Sequence, residues 1–282
     1  VQSSIPTVHA RRIFKRQSSR DNDGHWGTMK NLIHFGCSFA VGNGIPKYLI
    51  GLDSGKRSRS QRKIDFKERY GVSIEQQTSS GNLIASRLGL RFIRIAENGA
   101  SNEMVARKLL QTKIEKHFVL IGITSGNRRE ALTTGLSNTH WHTWKMIGPD
   151  QPKAYKDFSP FTPWTYQKKT HYKPAIEEDA QTRTAIQILY MQSFLKLKNI
   201  RYLMFNALYN GFDQPLTNEC RRLLDQVDTK HFYNLNGTFD ECQHGWCLKK
   251  QMVVSDIDDH PNVEGHRAWA ELMLPQAKNI WK

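Results

Sequence analysis

The chain has 282 residues, of which 38% are hydrophobic and 10% aromatic, so it can bury one sizeable core. No run approaches the roughly 18 consecutive apolar residues of a membrane span, and the first residues lack the apolar stretch of a secretory signal. We therefore expect a soluble globular protein without a membrane span, made in the cytosol, and one domain with insertions rather than two equal domains.

The charge of the chain is strongly basic, because 41 Lys and Arg stand against 26 Asp and Glu and leave a formal net charge of +15. Such a surface favours association with polyanions or with an acidic protein surface. Charge alone does not separate a nucleic-acid contact from a surface that serves solubility or assembly. Nucleic acid is therefore one alternative among the expected partners.

The four cysteines, Cys37, Cys220, Cys242 and Cys247, are too few and too unevenly spaced for a disulfide framework, and we expect reduced thiols. Cys242 and Cys247 resemble half of a zinc site, but a matching second pair of ligands is missing. We therefore expect no metal site.

Residues 1–28 are polar and basic and show no sustained hydrophobic period, which is typical of an arm outside a folded core. Because such an arm cannot bury enough apolar surface to order itself, we expect it to dock on another protein chain in an assembly. The folded domain then covers residues 29–282.

Two insertions are predicted within this domain, at about 45–80 and 131–176, because neither segment has a strong apolar period. The first is dense in charge and is either a solvated loop or an anion-contacting loop. The second is rich in aromatic residues and proline. It is either a lid or binding wall beside the site, or a packed surface excursion or interface.

The first apolar run, residues 32–36, ends at Cys37 and Ser38, and Gly42 and Gly44 follow. A short buried strand that ends in this way places the Ser38 hydroxyl at the carboxyl edge of a sheet, where open α/β folds keep their ligands. Ser38 is therefore the first candidate nucleophile.

Strands and helices alternate from this point to the end of the chain. The predicted elements are a helix capped by Ser79 or Ser80 that runs to Leu88, a strand over 90–96, a helix capped by Ser101, a strand over 118–123, a helix over 177–198, a strand over 202–207, a helix over 217–226, a weak strand over 231–235 and a helix over 267–277. This alternation implies an α/β fold with parallel strands and right-handed crossovers, which gathers the loops after the strands at one edge.

Two of these helices have an apolar face that we expect to cover the sheet. In the helix over 177–198 the predicted face is Ile186, Leu189, Tyr190, Phe194 and Leu197. In the helix over 267–277 it is Trp269, Leu272 and Met273.

A loop punctuated by Pro261 carries Asp258 and His260 just before the last helix. A serine hydroxyl is a poor nucleophile unless a base lies within hydrogen-bond reach and a third group holds the tautomer of that base. The sequence offers such a set, with Ser38 as nucleophile, His260 as base and Asp258 as acid.

Acyl transfer also needs donors that point at the developing oxyanion. The backbone amides of Ser38 and Gly99 and the side-chain amide of Asn127 are the candidates. All three residues follow predicted strands, so we expect them at the same edge of the sheet.

These motifs resemble the blocks of the SGNH, or GDSL-like, hydrolases. The resemblance covers roughly residues 29–282 and lies in Gly36-Cys37-Ser38-Phe39, Asn98-Gly99-Ala100-Ser101-Asn102, a loose third block at Ser125-Gly126-Asn127-Arg128, and Asp258-Asp259-His260-Pro261-Asn262. Cys37 stands where the family usually has Asp. The family acid more often lies three residues before the histidine, so Asp256 is a rival to Asp258.

The resemblance implies a three-layer α/β/α sandwich with a flavodoxin-like parallel sheet, and hydrolysis of an acyl or acetyl ester, commonly on a carbohydrate or lipid, without metal or organic cofactor. The first block is similar to that of hydrolase-like proteins of tailed bacteriophages. Together with the basic arm, this similarity implies a virion-associated protein that acts on a host glycan. The alternative is an inactive hydrolase-fold component of such an assembly.

Overall fold

The computed structural model describes residues 31–42, 78–126, 128–134, 139–145, 174–255 and 258–282, and for 129–134, 139–145 and 174–179 it describes the backbone alone. The arm at 1–28 and most of the two predicted insertions lie outside the described residues. Asn127 and Asp256 lie outside them as well.

The strands of the described part are β1 (Asn31–Gly36), β2 (Arg91–Ala96), β3 (Phe118–Ile123), β4 (Arg128–Thr134), β5 (Thr139–Lys145), β6 (Arg201–Asn206), β7 (Phe232–Tyr233), β8 (Val253–Ser255) and β9 (Asp258–Pro261). Five of them form one sheet in the order β2-β1-β3-β6-β7, and every neighbouring pair is parallel. Counted within this sheet, the order is 2-1-3-4-5, which is the flavodoxin-like arrangement. The predicted fold class is confirmed.

The central strands are apolar because both faces of the sheet are covered. All six residues of β3 are buried, and they read as a continuous apolar run rather than an alternating one. This pattern is typical of parallel sheets between two layers of helices. The predicted range of β3 agrees with the observed strand.

The helices are α1 (Ser38–Val41), α2 (Ser80–Arg87), α3 (Asn102–Gln111), α4 (Pro174–Leu197), α5 (Asn218–Leu224), α6 (Gln243–Lys249) and α7 (Val263–Trp281). They pack in two groups, with α2 against α7 in one and α3 and α5 against α4 in the other. In the described residues, no helix combines the length and the apolar character that a membrane crossing requires.

The core-facing stripe of helix α4 agrees only in part with the one predicted, because Leu189 and Phe194 are partly buried against the core and the other three predicted residues are not. Ile186, Tyr190 and Leu197 are exposed, and the buried stripe is Gln181, Thr184, Ala185, Ile188, Met191, Gln192 and Leu195. The polar members of this stripe can be buried because they are hydrogen-bonded; Gln181, for example, donates to the Gly211 carbonyl at 2.8 Å. A helix with apolar residues on two adjacent stripes leaves this choice to the tertiary contacts.

The predicted face of α7 is confirmed at Trp269 and Met273, which are fully buried, and is wrong at Leu272, which is 39% exposed. The helix is also longer than predicted. Its cap Asn262 accepts a hydrogen bond from the Gly265 backbone N–H at 2.9 Å, which starts the helix directly after β9.

Two antiparallel strand pairs lie outside the main sheet. The pair of β4 and β5 runs in register from Arg128 opposite Lys145 to Thr134 opposite Thr139, in a segment where we expected no strand period. The pair of β8 and β9 contains Asp258 and His260, which we expected on a loop. Both predictions are corrected. These strands are short and are stabilised by pairing with each other, so an apolar period in the sequence does not mark them.

Candidate active site

The site predicted from the sequence falls at the point where the order of the sheet strands reverses. Strand β1 lies between β2 and β3, so the chain after β2 must cross over β1 to reach β3. Open α/β sheets bind ligands in the crevice at the carboxyl ends of strands at such a switch point. The segments that follow β1, β2 and β3 at this edge begin with Cys37, Glu97 and Thr124.

Ser38 is the first residue of α1, directly after the turn that ends β1. The turn is tight: a Cβ added to Gly36 would lie 3.0 Å from the Ala40 Cβ and 3.4 Å from the Gly122 carbonyl oxygen. The helix ends after one turn at Gly42, which has φ of 74°. This local geometry places Ser38 at the carboxyl edge, where it is 5% exposed.

His260 and Asp258 form a hydrogen-bonded pair, with 2.7 Å between Nδ1 and Oδ1. Side chains at positions i and i+2 of a strand lie on the same face, and this period brings the two together on β9. Their side chains are 23% and 15% exposed. In the structure, therefore, the acid that contacts the candidate base lies two residues before it.

The candidate base lies next to the helix that carries Ser38. The ring of Phe39 is 5.3 Å from the ring of His260, centroid to centroid, and the two planes are inclined by 32°. In the described part of the chain, His260 Nε2 and Ser38 Oγ make no hydrogen bond. Catalytic hydrogen bonds are often long in a site without substrate, so His260 stays the predicted base for Ser38.

A second histidine and carboxylate pair, which we did not predict, lies beside the first. Asp259 Oδ2 is 2.9 Å from His244 Nε2, and the His244 ring meets the Phe39 ring edge to face at 5.6 Å. Asp259 follows Asp258 on β9, but its carboxylate contacts His244 rather than His260. His244 lies 15 residues away in the chain, so no local pattern in the sequence indicates this second pair.

Gly99 lies on an exposed turn after β2 and has φ of 75°. In the described residues, neither the Gly99 nor the Ser38 backbone N–H donates to a protein acceptor. Unpaired backbone N–H groups are what an oxyanion site requires. Asn127, the predicted third donor, lies outside the described residues.

Two side chains that we did not assign to the site join the loop after β2 to the end of β3. The Asn102 amide is hydrogen-bonded to both the N–H and the carbonyl of Thr124, at 2.9 Å each. Arg128 Nη1 donates to the Ala100 carbonyl at 3.3 Å and to the Thr124 hydroxyl at 3.0 Å. Asn102 lies 22 residues from Thr124, and Arg128 lies 28 residues from Ala100, so neither of these two contacts has a local signal in the sequence.

Two buried histidines, also not assigned, lie behind the site. His34, in the middle of β1, has no exposed surface, and among the described residues neither of its ring nitrogens has a hydrogen-bond partner. His266, on α7, is equally buried and accepts a hydrogen bond from the Ser80 N–H at 3.3 Å. Burial lowers the pKa of both side chains from 6.5 to about 3, so both are neutral at pH 7.

One group of side chains in the described part brings metal-ligand types together: ligand atoms of Asp258, Asp259 and His260 lie within 4.8 Å of one another. Each of the two carboxylates is already hydrogen-bonded to a histidine, His260 or His244. The cluster is therefore better described as two histidine and carboxylate pairs than as a set of ligands that point at one ion.

No protein-family model and no curated protein matches the chain. Solved structures with a similar arrangement include phospholipase A1 from Streptomyces albidoflavus, with a TM-score of 0.42 and 13% identity over 89% of this chain and 99% of that one. A carbohydrate esterase family 2 enzyme from Myceliophthora fergusii gives a TM-score of 0.40 and 13% identity, over 90% of this chain and 67% of the other. A lipolytic G-D-S-L family protein from Veillonella parvula gives 0.39 and 9%, over 89% and 98%.

Proposed function

We propose that the chain is a serine ester hydrolase of the SGNH type, which cleaves an acyl or acetyl ester carried by a carbohydrate. The observation that carries the proposal is the pair of Asp258 and His260, 2.7 Å apart and packed against Phe39, the residue that follows Ser38. A charged partner on one imidazole nitrogen leaves the other nitrogen as the acceptor of a proton.

In the proposed reaction, His260 Nδ1–H donates to the Asp258 carboxylate, so that Nε2 carries the lone pair. Ser38 Oγ attacks the ester carbonyl carbon while His260 Nε2 takes its proton, and the carbonyl oxygen becomes an oxyanion. The imidazolium then gives the proton to the leaving alcohol, which leaves an acyl group on Ser38. Water, activated by the same histidine, releases the acid and restores the serine.

The oxyanion would be stabilised by the N–H groups of Ser38 and Gly99. Both are unpaired with protein acceptors in the described residues, and both belong to segments that follow neighbouring strands of the sheet. Loss of one such donor typically lowers the rate by about 10²- to 10³-fold. Asn127 remains the residue predicted to supply the third donor.

The test is hydrolysis of an aryl acetate by the purified chain and by Ser38→Ala. We expect the variant to lose the activity, whereas Ser86→Ala, at an exposed serine of α2, retains it. A series of acetylated sugars then identifies which alcohol the substrate ester carries, with the rate of acetate release as the measurement. Equal rates for Ser38→Ala and the wild type would remove Ser38 as the nucleophile.

A second candidate function is that of a hydrolase-fold component of a larger assembly, such as a phage virion, that does not turn over esters. The observation that favours it is the burial of Ser38, which is 5% exposed. In this alternative the basic arm would be the contact with protein partners. A wild-type chain that neither hydrolyses aryl acetates nor reacts with a fluorophosphonate at Ser38 would support it, and labelling of Ser38 would exclude it.

A further inference from the structure

We propose that Arg128 is a positioning residue for the esterase reaction: it fixes the turn that presents the Gly99 N–H to the oxyanion. This inference rests on the proposed function. It concerns a residue that lies outside the triad and is not one of the oxyanion donors.

Between its two ends, the turn that carries Gly99 has few contacts with the rest of the described residues. Residues 97–99 are exposed, the Glu97 side chain forms an ion pair with Lys108 at 3.0 Å, and no described atom beyond the two adjacent residues lies within 4 Å of the position that a Gly99 Cβ would take. At its start the turn is tied to β1, because the Glu97 N–H donates to the Gly36 carbonyl at 3.3 Å. The direction of the Gly99 N–H therefore depends on where the other end of the turn is fixed.

At that other end, where Ala100 is buried in the core, the tie to the end of β3 comes from Arg128. Its Nη1 donates to the carbonyl of Ala100, the residue after Gly99, at 3.3 Å. The same nitrogen donates at 3.0 Å to the hydroxyl of Thr124, which is fully buried at the end of β3. One guanidinium thus joins the turn after β2 to the strand on the far side of β1.

The second bridge holds the helix rather than the turn. Asn102 lies in the first turn of α3, and its amide pairs with the Thr124 backbone at 2.9 Å in both directions. Arg183 of α4 adds a contact at the same edge, because its Nη2 donates to the Gly126 carbonyl at 3.1 Å. Among the contacts between described residues, the one from Arg128 reaches a residue adjacent to Gly99, whereas those from Asn102 and Arg183 reach Thr124 and Gly126, so Arg128 acts most directly on the oxyanion turn.

The kinetic test compares Arg128→Met with Arg201→Met on an aryl acetate. Arg201 also donates to backbone carbonyls, those of Trp281 and Lys282 at 2.6 and 3.2 Å, but it lies at the first residue of β6, at the opposite edge of the sheet. We expect Arg128→Met to lower kcat by about 10- to 100-fold with KM within about threefold, since small misplacements near the reacting atoms have effects of this order. Arg201→Met should leave both constants within about twofold, and Arg128→Lys should recover part of kcat.

A second readout does not depend on activity. The Ala100 N–H donates to the Glu97 carbonyl at 3.2 Å inside the turn, so its hydrogen exchange reports on the order of residues 97–101. We expect faster exchange there in Arg128→Met and in Thr124→Val, which removes the hydroxyl acceptor but keeps the side-chain shape. Arg201→Met should leave exchange in the turn unchanged.

The outcomes separate the two proposals. An active wild type with unchanged kcat in Arg128→Met, or with the same loss in Arg201→Met, overturns the positioning role and leaves the esterase intact. A wild type without esterase activity overturns the proposed function and, with it, the kinetic role of Arg128. If hydrogen exchange over residues 97–101 is unchanged in Arg128→Met, the Arg128 contact does not order the turn. This conclusion holds whether or not the chain is an active esterase.

Discussion

Stability should fall as the pH is lowered from 7.5 to 5, because two buried histidines must stay neutral in the folded chain. Burial is the main cause that lowers the pKa of His34 from 6.5 to about 3, and electrostatic interactions with His266 and Arg94 contribute less. Burial, with a smaller electrostatic contribution from His260, lowers the pKa of His266 to about 3 as well. His34 is surrounded by apolar rings, with Phe92 and Phe205 at 6.4 and 6.0 Å between centroids.

The sign of the effect follows from where protons bind. Below pH 6.5 the unfolded chain takes up a proton at each histidine, whereas the folded chain does so only near pH 3. The stabilisation is therefore complete above pH 6.5 and is lost as the pH falls towards 3. Between pH 7.5 and 5 this loss amounts to about 2 kcal/mol for each histidine, and about 4 kcal/mol for both, which is a large part of a typical stability of about 5 to 15 kcal/mol.

Urea unfolding at several pH values, followed by tryptophan fluorescence, to which the buried Trp269 contributes, measures this loss. His34→Leu removes one of the two groups and should halve the loss between pH 7.5 and 5, while its stability at pH 7.5 stays close to that of the wild type because no protein hydrogen bond of the described residues is lost. His34→Gln is a second variant that does not titrate in this range, in case the leucine does not fit beside Gly81. If both variants lost as much stability as the wild type over this pH range, buried neutral His34 would not be the cause.

Two further predictions concern the candidate site. Asp258→Asn should lower kcat by about 10³- to 10⁴-fold, because an amide in place of the carboxylate favours the wrong tautomer of His260. The matched control is Asp228→Asn, because the Asp228 carboxylate contacts His231 at 3.0 Å directly before β7. This control should retain kcat, and similar losses in both variants would argue against the assigned acid. Gly99→Ala and Gly89→Ala each place a Cβ at a positive φ, 75° and 69°, with nothing within 4 Å, so each should lose about 1 to 2 kcal/mol of stability by chemical denaturation. Only Gly99→Ala should also lower kcat, and an unchanged kcat in that variant would exclude this turn from oxyanion binding.

Local patterns in the sequence were sufficient for the elements around Ser38 and Gly99. The strand before Ser38, the helix cap at Ser101 and the buried strand over 118–123 depend on apolar runs and capping side chains within a few residues of one another. The alternation of strands and helices then determined the α/β class, because parallel strands require crossovers. These interactions are short in sequence, so they can be recognised without the tertiary structure.

Only the tertiary structure decided which face of α4 is buried and which side chains pair with each other. Helix α4 has two apolar stripes, and packing against the sheet selected the one whose polar residues, such as Gln181, find partners in neighbouring loops. The pairing of β8 with β9 turned an expected loop into a strand, on which Asp258 contacts His260 and Asp259 contacts His244.

The sequence by itself therefore determined the alternating elements, the α/β class and the candidate residues Ser38, Asp258, His260 and Gly99. The structure decided the strand order, the partner of the candidate base and the bridge from Arg128 to the Gly99 turn. The physical reason is that caps and apolar periods act over a few residues of the chain. Side-chain bridges between loops at one sheet edge instead depend on distances in space, which sequence separation does not encode.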